Sequence, residues 1–81
     1  MPSLYFDYHD GAGIEIDDEG VDLLGIGDAR RLALEELGQT ILDPAYGRIT
    51  GRIAIEVRDH EGPILRASAA IVLEDLRLIF T

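Results

Sequence analysis

Residues 3–9, SLYFDYH, alternate in polarity: Leu4, Phe6 and Tyr8 share one side, while Tyr5, Asp7 and His9 share the other. A period of two with aromatic side chains predicts a β-strand. The stretch Asp10-Gly11-Ala12-Gly13 is turn chemistry, with glycines able to adopt positive φ. Ile14, Glu15, Ile16 and Asp17 alternate again, which predicts a short second strand returning beside the first, ended by Asp18-Glu19-Gly20. Val21, Leu23 and Leu24 are apolar and are expected to tuck the connection under the sheet.

A change of period marks a helix. Ile26, Ala29, Ala33, Leu37 and Ile41 fall within roughly 120° of one another at helical spacing, which predicts one buried stripe. Gly25 is placed to cap the helix, and Asp28 then stands at the third helical position, near the positive end of the dipole. Pro44 forbids continuation, so the helix ends near Asp43. Gly38 lies inside it and implies either a closely crossing strand or a weak last turn. Residues 44–51 are the one connection long enough to be irregular.

Ile53, Ile55 and Val57 then alternate with Ala54, Glu56 and Arg58, a strand with one buried side. Asp59-His60-Glu61-Gly62 reads as a tight turn with a bulge, and a partner strand follows from about residue 64 to 73. Its small centre suits close approach of the helix, with Ala67, Ala69, Ile71 and Leu73 facing it. The order strand, strand, helix, strand, strand predicts an α+β two-layer sandwich. In it, a four-stranded, mainly antiparallel sheet carries one helix on one face. The whole chain is one domain: a first hairpin over 3–17, the helix over 25–43, a second hairpin over 52–74 and an apolar tail over 75–81. The second sheet face is expected to be half-covered at best.

Composition narrows the function classes. The 81 residues contain no cysteine, which removes disulfides, thiolate zinc sites and thiol nucleophiles together. A core of this size often gains stability by sharing surface with a second copy. The formal charge is −9, and every basic residue is arginine. Such a field repels phosphate, so nucleic acid and anionic membrane are poor partners. The first 28 residues hold eight acids and no arginine, an asymmetry that a basic protein partner could use. No apolar stretch approaches a bilayer span, and the N-terminus lacks a signal-peptide pattern, so a cytoplasmic protein is expected.

Site chemistry is sparse. From Asp7, an EF-hand register would place His9 and Gly11 where acids are needed; from Asp10 it would place Ala12 and Ile14. His9 and His60, at a strand end and in a turn, are too few to define a metal site. Ser68 has no glycine-flanked elbow. Gly11-Ala12-Gly13 precedes a strand, so it is no dinucleotide loop. No enzyme activity, catalytic residue, cofactor or metal is expected. The acids of the first hairpin, with Asp7, His9, Asp10, Asp17, Asp18 and Glu19, form the candidate interaction surface, read chiefly as carboxylates facing outward. The tail residues Leu78, Ile79 and Phe80 are candidate dimer contacts. Arg52, Arg58 and Arg66 could form a ladder with carboxylates, for example Arg66 with Glu56.

The aromatic strand, Asp7-x-x-Asp10-Gly11, the corner Asp18-Glu19-Gly20 and Ala29-Arg30 in the helix stand in a familiar order. With the closing segment 56–62 they resemble a family of small alphaproteobacterial proteins that share a domain of unknown function. The resemblance runs to about residue 74. It implies a cytoplasmic bacterial protein and supports the strand order, and it brings no activity, substrate or cofactor. Departures are Gly25, where the family often has Asp, and the apolar tail after Asp75. A partial likeness connects the chain to antitoxins of a partly double-stranded-RNA-binding-domain type. Their aromatic-proline segment is replaced here by Val21-Asp22-Leu23-Leu24-Gly25. The expected function is therefore a non-enzymatic interaction or regulatory module acting as a homodimer. The alternative is an acidic, antitoxin-like neutraliser of a basic partner.

Overall fold

The computed structural model describes residues 3–43, 51–72 and 74–77. The elements run β1 (Ser3–His9), β2 (Ile14–Glu15), β3 (Val21–Asp22), α1 (Ile26–Leu42), β4 (Gly51–Asp59) and β5 (Gly62–Ile71). The sheet order is β2-β1-β4-β5, all pairs antiparallel, and α1 packs on one face against β4 and β5. The expected α+β fold with one helix on an antiparallel sheet is therefore present. One element is additional: Val21 and Asp22 pair with Leu4 and Ser3 as β3, on the same edge of β1 that β2 occupies further along.

The core follows the alternation. Leu4 and Phe6 of β1 and Ile53, Ile55 and Val57 of β4 are buried against Ala29, Ala33 and Leu37 of α1, and Val57 is fully enclosed. Burying a side chain of the Val, Leu, Ile or Phe class contributes about 1.5–3 kcal/mol. Among the described residues six such side chains are buried, which leaves little margin for unsatisfied polar groups. Ala67, Ala69 and Ile71 of β5 pack against this core as expected and stay partly exposed, while Leu73 lies outside the described residues. The small side chains of Ala67 and Ala69 let α1 lie close over β5.

Several expectations are corrected. Ile26 and Ile41, assigned to the buried stripe, are 44% and 38% exposed. They stand at the two ends of α1, beyond the turns that the sheet covers. Of Val21, Leu23 and Leu24, Leu23 alone packs against the core, because Val21 is committed to β3 and Leu24 projects to solvent. Gly38 has no heavy atom within 4 Å of where a Cβ would stand, so no strand crosses it among the described residues. Gly25 does cap α1 in extended conformation without a side-chain hydrogen bond, and Asp43 ends the helix. The loop over 44–50 and the tail residues Leu78, Ile79 and Phe80 lie outside the described residues.

Candidate functional site

Three turns share one construction. Asp10 Oδ1 accepts hydrogen bonds from the amides of Ala12 at 2.7 Å and Gly13 at 3.0 Å. Asp17 Oδ1 accepts from Glu19 and Gly20, at 3.1 and 3.3 Å. Asp59 Oδ1 accepts from Glu61 and Gly62, at 2.8 and 3.1 Å. In each case an aspartate side chain satisfies the amides two and three residues on, and the third is a glycine. The first hairpin turn is thus shaped by a carboxylate: Gly20 and Gly62 adopt positive φ, but Gly11 and Gly13 do not. The Asp-x-x-Gly spacing at residues 10, 17 and 59 was visible in the sequence, and it is the signal that marks these acids as turn formers.

Asp17 does more. Between the short pairings of β2 and β3, the outer edge of β1 has an amide with no strand opposite it. Asp17 Oδ2 accepts that amide, from Phe6, at 3.0 Å. The Asp17 amide in turn donates to Asp7 Oδ1 at 2.9 Å, and its carbonyl accepts Arg58 Nη2 at 2.9 Å. Arg58 Nε donates to Asp7 Oδ2 at 2.7 Å. Arg58 also lies over the ring of Tyr5, 4.6 Å from its centroid, and Tyr5 and Arg58 are direct cross-strand partners. Gly20 closes the assembly: at φ +75° its backbone lies so near the Tyr5 ring that a Cβ would fall 2.9 Å from Cε1. Tyr5, Asp7, Gly20 and Arg58 therefore form one fastening on the sheet face away from the helix, tied to Asp17 at the edge of β1.

Ionisation follows the contacts. Burial pushes the Asp17 carboxyl up, but the amides of Phe6, Glu19 and Gly20 and the charge of Arg58 outweigh it and hold it below the usual range. The Ala12 amide, with the Tyr8 hydroxyl and the Gly13 amide, lowers Asp10. The hydrogen bond to Asp7 raises Arg58. Burial, then the nearby charge of Asp17, pushes Glu36 up.

Because α1 covers β4 and β5, the β1 side of the same face is open. A cavity of about 440 Å³ lies there, floored by Phe6, Tyr8 and Ile55. Glu15, Asp17, Asp18 and Glu19 line one wall, and Glu36 and Asp43 with Gln39 and Thr40 line the other. Among the described residues no basic side chain lines it. The geometry is a groove with an apolar floor and carboxylates on both banks.

The candidate surface is thus divided. Asp7 is not outward-facing as expected but 3% exposed, because the chain at residue 17 folds over it and Arg58 neutralises it. Asp18 and Glu19 are exposed on the bank of the groove, with Asp17 below them. His9 and Asp10 lie at the far end of β1, partly exposed. His9 and His60 do not converge: the pairing of Tyr5 with Arg58 puts residue 60 beyond the opposite end of β1. Among the described residues no group of three His, Asp or Glu side chains could hold a metal ion. Of the arginine ladder, Arg58 meets Asp7 and Arg66 meets Glu56. Asp7 and Glu56 are cross-strand neighbours, and each is matched by its own arginine. Tyr5 and Glu36 escaped the sequence-based selection, since their roles depend on register across β1 and β4 and on where α1 lies.

The architecture defines a class: a small α+β domain whose helix covers half a sheet and whose first strand is fastened by an acidic corner. Within that class, the chain belongs to the family described as Domain of unknown function (DUF6894), which matches residues 4–70. No curated protein and no solved structure matches the chain. Among the described residues no helix is long and apolar enough to cross a membrane.

Proposed function

We propose that this chain is a non-enzymatic protein-interaction module that acts in the cytoplasm as a homodimer joined along β5. The observation that carries the reading is the position of β5, ten residues long, at the end of the strand order with no strand on its outer side among the described residues. A long bare edge presents unpaired N–H and C=O groups and is a template for a second strand. Closed two-fold pairing is the commonest way for one chain to use it. A dyad near Ala67 or Ser68 sets Arg66 opposite small residues and not opposite its own copy. The hairpin acids support the non-enzymatic part, since Asp7, Asp10 and Asp17 already hold guanidinium or backbone donors.

Amide hydrogen exchange at two protein concentrations tests the dimer. Protection along β5 should fall on dilution while protection along β1 stays constant, and sedimentation should show a dimer at micromolar concentration. A monomer throughout, with exchange along β5 unchanged on dilution, refutes it.

The groove favours a second reading, an acidic module that neutralises a basic protein. Its six carboxylates on two banks match an arginine- or lysine-bearing segment, with the aliphatic stem of the side chain on Phe6 and Tyr8. Calorimetric titration with an arginine-rich peptide should show binding that weakens with salt and with Asp18→Asn plus Glu19→Gln. Binding unaffected by either change, or none at low salt, rejects this reading.

A further inference from the structure

We propose that the second copy docks against the flank of α1 carrying Leu34, Gly38 and Ile41, so that the two helices pack side by side across the dyad; this rests on the β5 pairing proposed above. At 100° per residue these three positions lie within about 60° of one another. They lie roughly 100–180° around the helix from Glu36, Gln39 and Asp43, which face the groove on the β1 side. The flank therefore looks outward past β5. Leu34 is 61% exposed and Ile41 38%, and Ala67 and Ala69 of β5 are half-covered. Gly38 sits between the two large side chains with open space where its Cβ would be. No contact within the described chain accounts for a glycine in that turn.

Geometry makes the two surfaces one interface. Antiparallel pairing of β5 with its own copy places the dyad perpendicular to the sheet, so both helices fall on the same face. Strands are about 4.8 Å apart, and α1 packs on β4 and β5 alike, about half a spacing inside β5. The dyad lies half a spacing outside β5. The helix axes are then about 9–10 Å apart, within the roughly 8–10 Å of packed helices. An antiparallel helix pair with its dyad level with Glu36 sets Leu34 of one copy over Gly38 of the other. The missing Cβ then admits the leucine.

Sedimentation equilibrium of the full chain tests this with three variants, each first shown to be folded by circular dichroism. Leu34→Glu and Gly38→Leu should each weaken the dimer about tenfold or more. Gly38→Leu should at the same time raise helix stability in the isolated chain, because leucine is the better helix former. General destabilisation cannot give that combination. Ile16→Glu is the control: Ile16 is 60% exposed, as Leu34 is, but lines the groove on the other side, and its dimer constant should be unchanged. A dimer that keeps its β5 exchange pattern and ignores both helix variants overturns the helix contact while leaving the strand pairing intact. Equal loss in Ile16→Glu also overturns it, as nonspecific association. A wild-type chain that is monomeric throughout overturns both.

Discussion

Along the outer edge of β1, the returning chain supplies two short strands, β2 and β3, and between them the Asp17 carboxylate on the Phe6 amide. Along the outer edge of β5, ten residues long, the described chain supplies no strand at all. The first edge is closed by segments too short to be stable alone, so side chains must hold them. Asp17 fixes the corner, Asp7 and Arg58 fix Asp17, and Tyr5 carries Arg58 and Gly20. The second edge belongs to a long hairpin that its own ladder and α1 already stabilise. Among the described residues, then, one edge is closed by many specific contacts and the other by none, so the contacts of the first edge serve the fold. Of the six acids in residues 7–20, Asp7, Asp10 and Asp17 serve that first edge, while Glu15, Asp18 and Glu19 line the groove.

The largest effect should come from opening the closed edge. Asp17→Ala removes the acceptor of three backbone amides, those of Phe6, Glu19 and Gly20. At about 1 kcal/mol for each bond, with water recovering part at the exposed end, the loss is about 2–3 kcal/mol. A chain of this length has stability on the order of 4–12 kcal/mol, so the midpoint in urea should fall visibly. The Phe6 amide should lose its exchange protection first, and protection in β5 should fall only with global stability. Equal loss at both edges would mean that the corner does not act locally.

Gly20→Ala comes next. The substitution forces a side chain into φ +75° and drives its Cβ to within 2.9 Å of the Tyr5 ring. The cost is about 2 kcal/mol, from left-handed strain and displacement of the ring together. A second observable separates the two parts, because a displaced Tyr5 loses its stacking with Arg58 and should change near-ultraviolet circular dichroism. Gly11→Ala is the contrast. Gly11 has neither positive φ nor a neighbour within 4 Å, and its substitution should leave the midpoint nearly unchanged.

These contrasts show which parts of the molecule were legible in sequence. Ile53, Ile55 and Val57, and Ala29, Ala33 and Leu37, are buried where periodicity places them, because burial on a strand or helix is a local consequence of spacing. The turn at residues 59–62 was readable for the same reason. Asp7 was assigned to the correct side of β1, away from Leu4 and Phe6, yet its burial depends on a loop ten residues later in the chain folding back and on an arginine 51 residues away. Neither distance leaves a periodic trace. The groove is also invisible to pattern. It exists because α1 lies over β4 and β5, and so leaves Phe6 and Tyr8 beside the carboxylates of residues 15–19. The Asp-x-x-Gly spacing lay in plain view and required only the question of where each backbone amide finds an acceptor.

The smallest predicted effect concerns the one groove acid whose pKa is raised. Burial and the charge of Asp17 make the ionised form of Glu36 unfavourable in the folded chain. A folded pKa above the unfolded one means that the native state binds the proton more tightly. Stability from this group is therefore full below the ordinary glutamate value and is lost as pH rises through the folded value. Asp17 and Asp10 act in the opposite direction: their lowered values give stability above the ordinary aspartate range that is lost as pH falls through the folded values. The native chain should thus lose stability in acid while Glu36 alone pulls the other way. Glu36→Gln should raise the melting temperature slightly at neutral pH, and the gain should vanish below about pH 4, where the carboxyl is protonated in both states. In the presence of an arginine-rich peptide the sign should reverse at neutral pH, because the glutamine no longer meets the bound cation and the peptide stabilises the variant less. A gain that is the same at all pH values would assign the effect to helix packing and detach Glu36 from the charge of the groove.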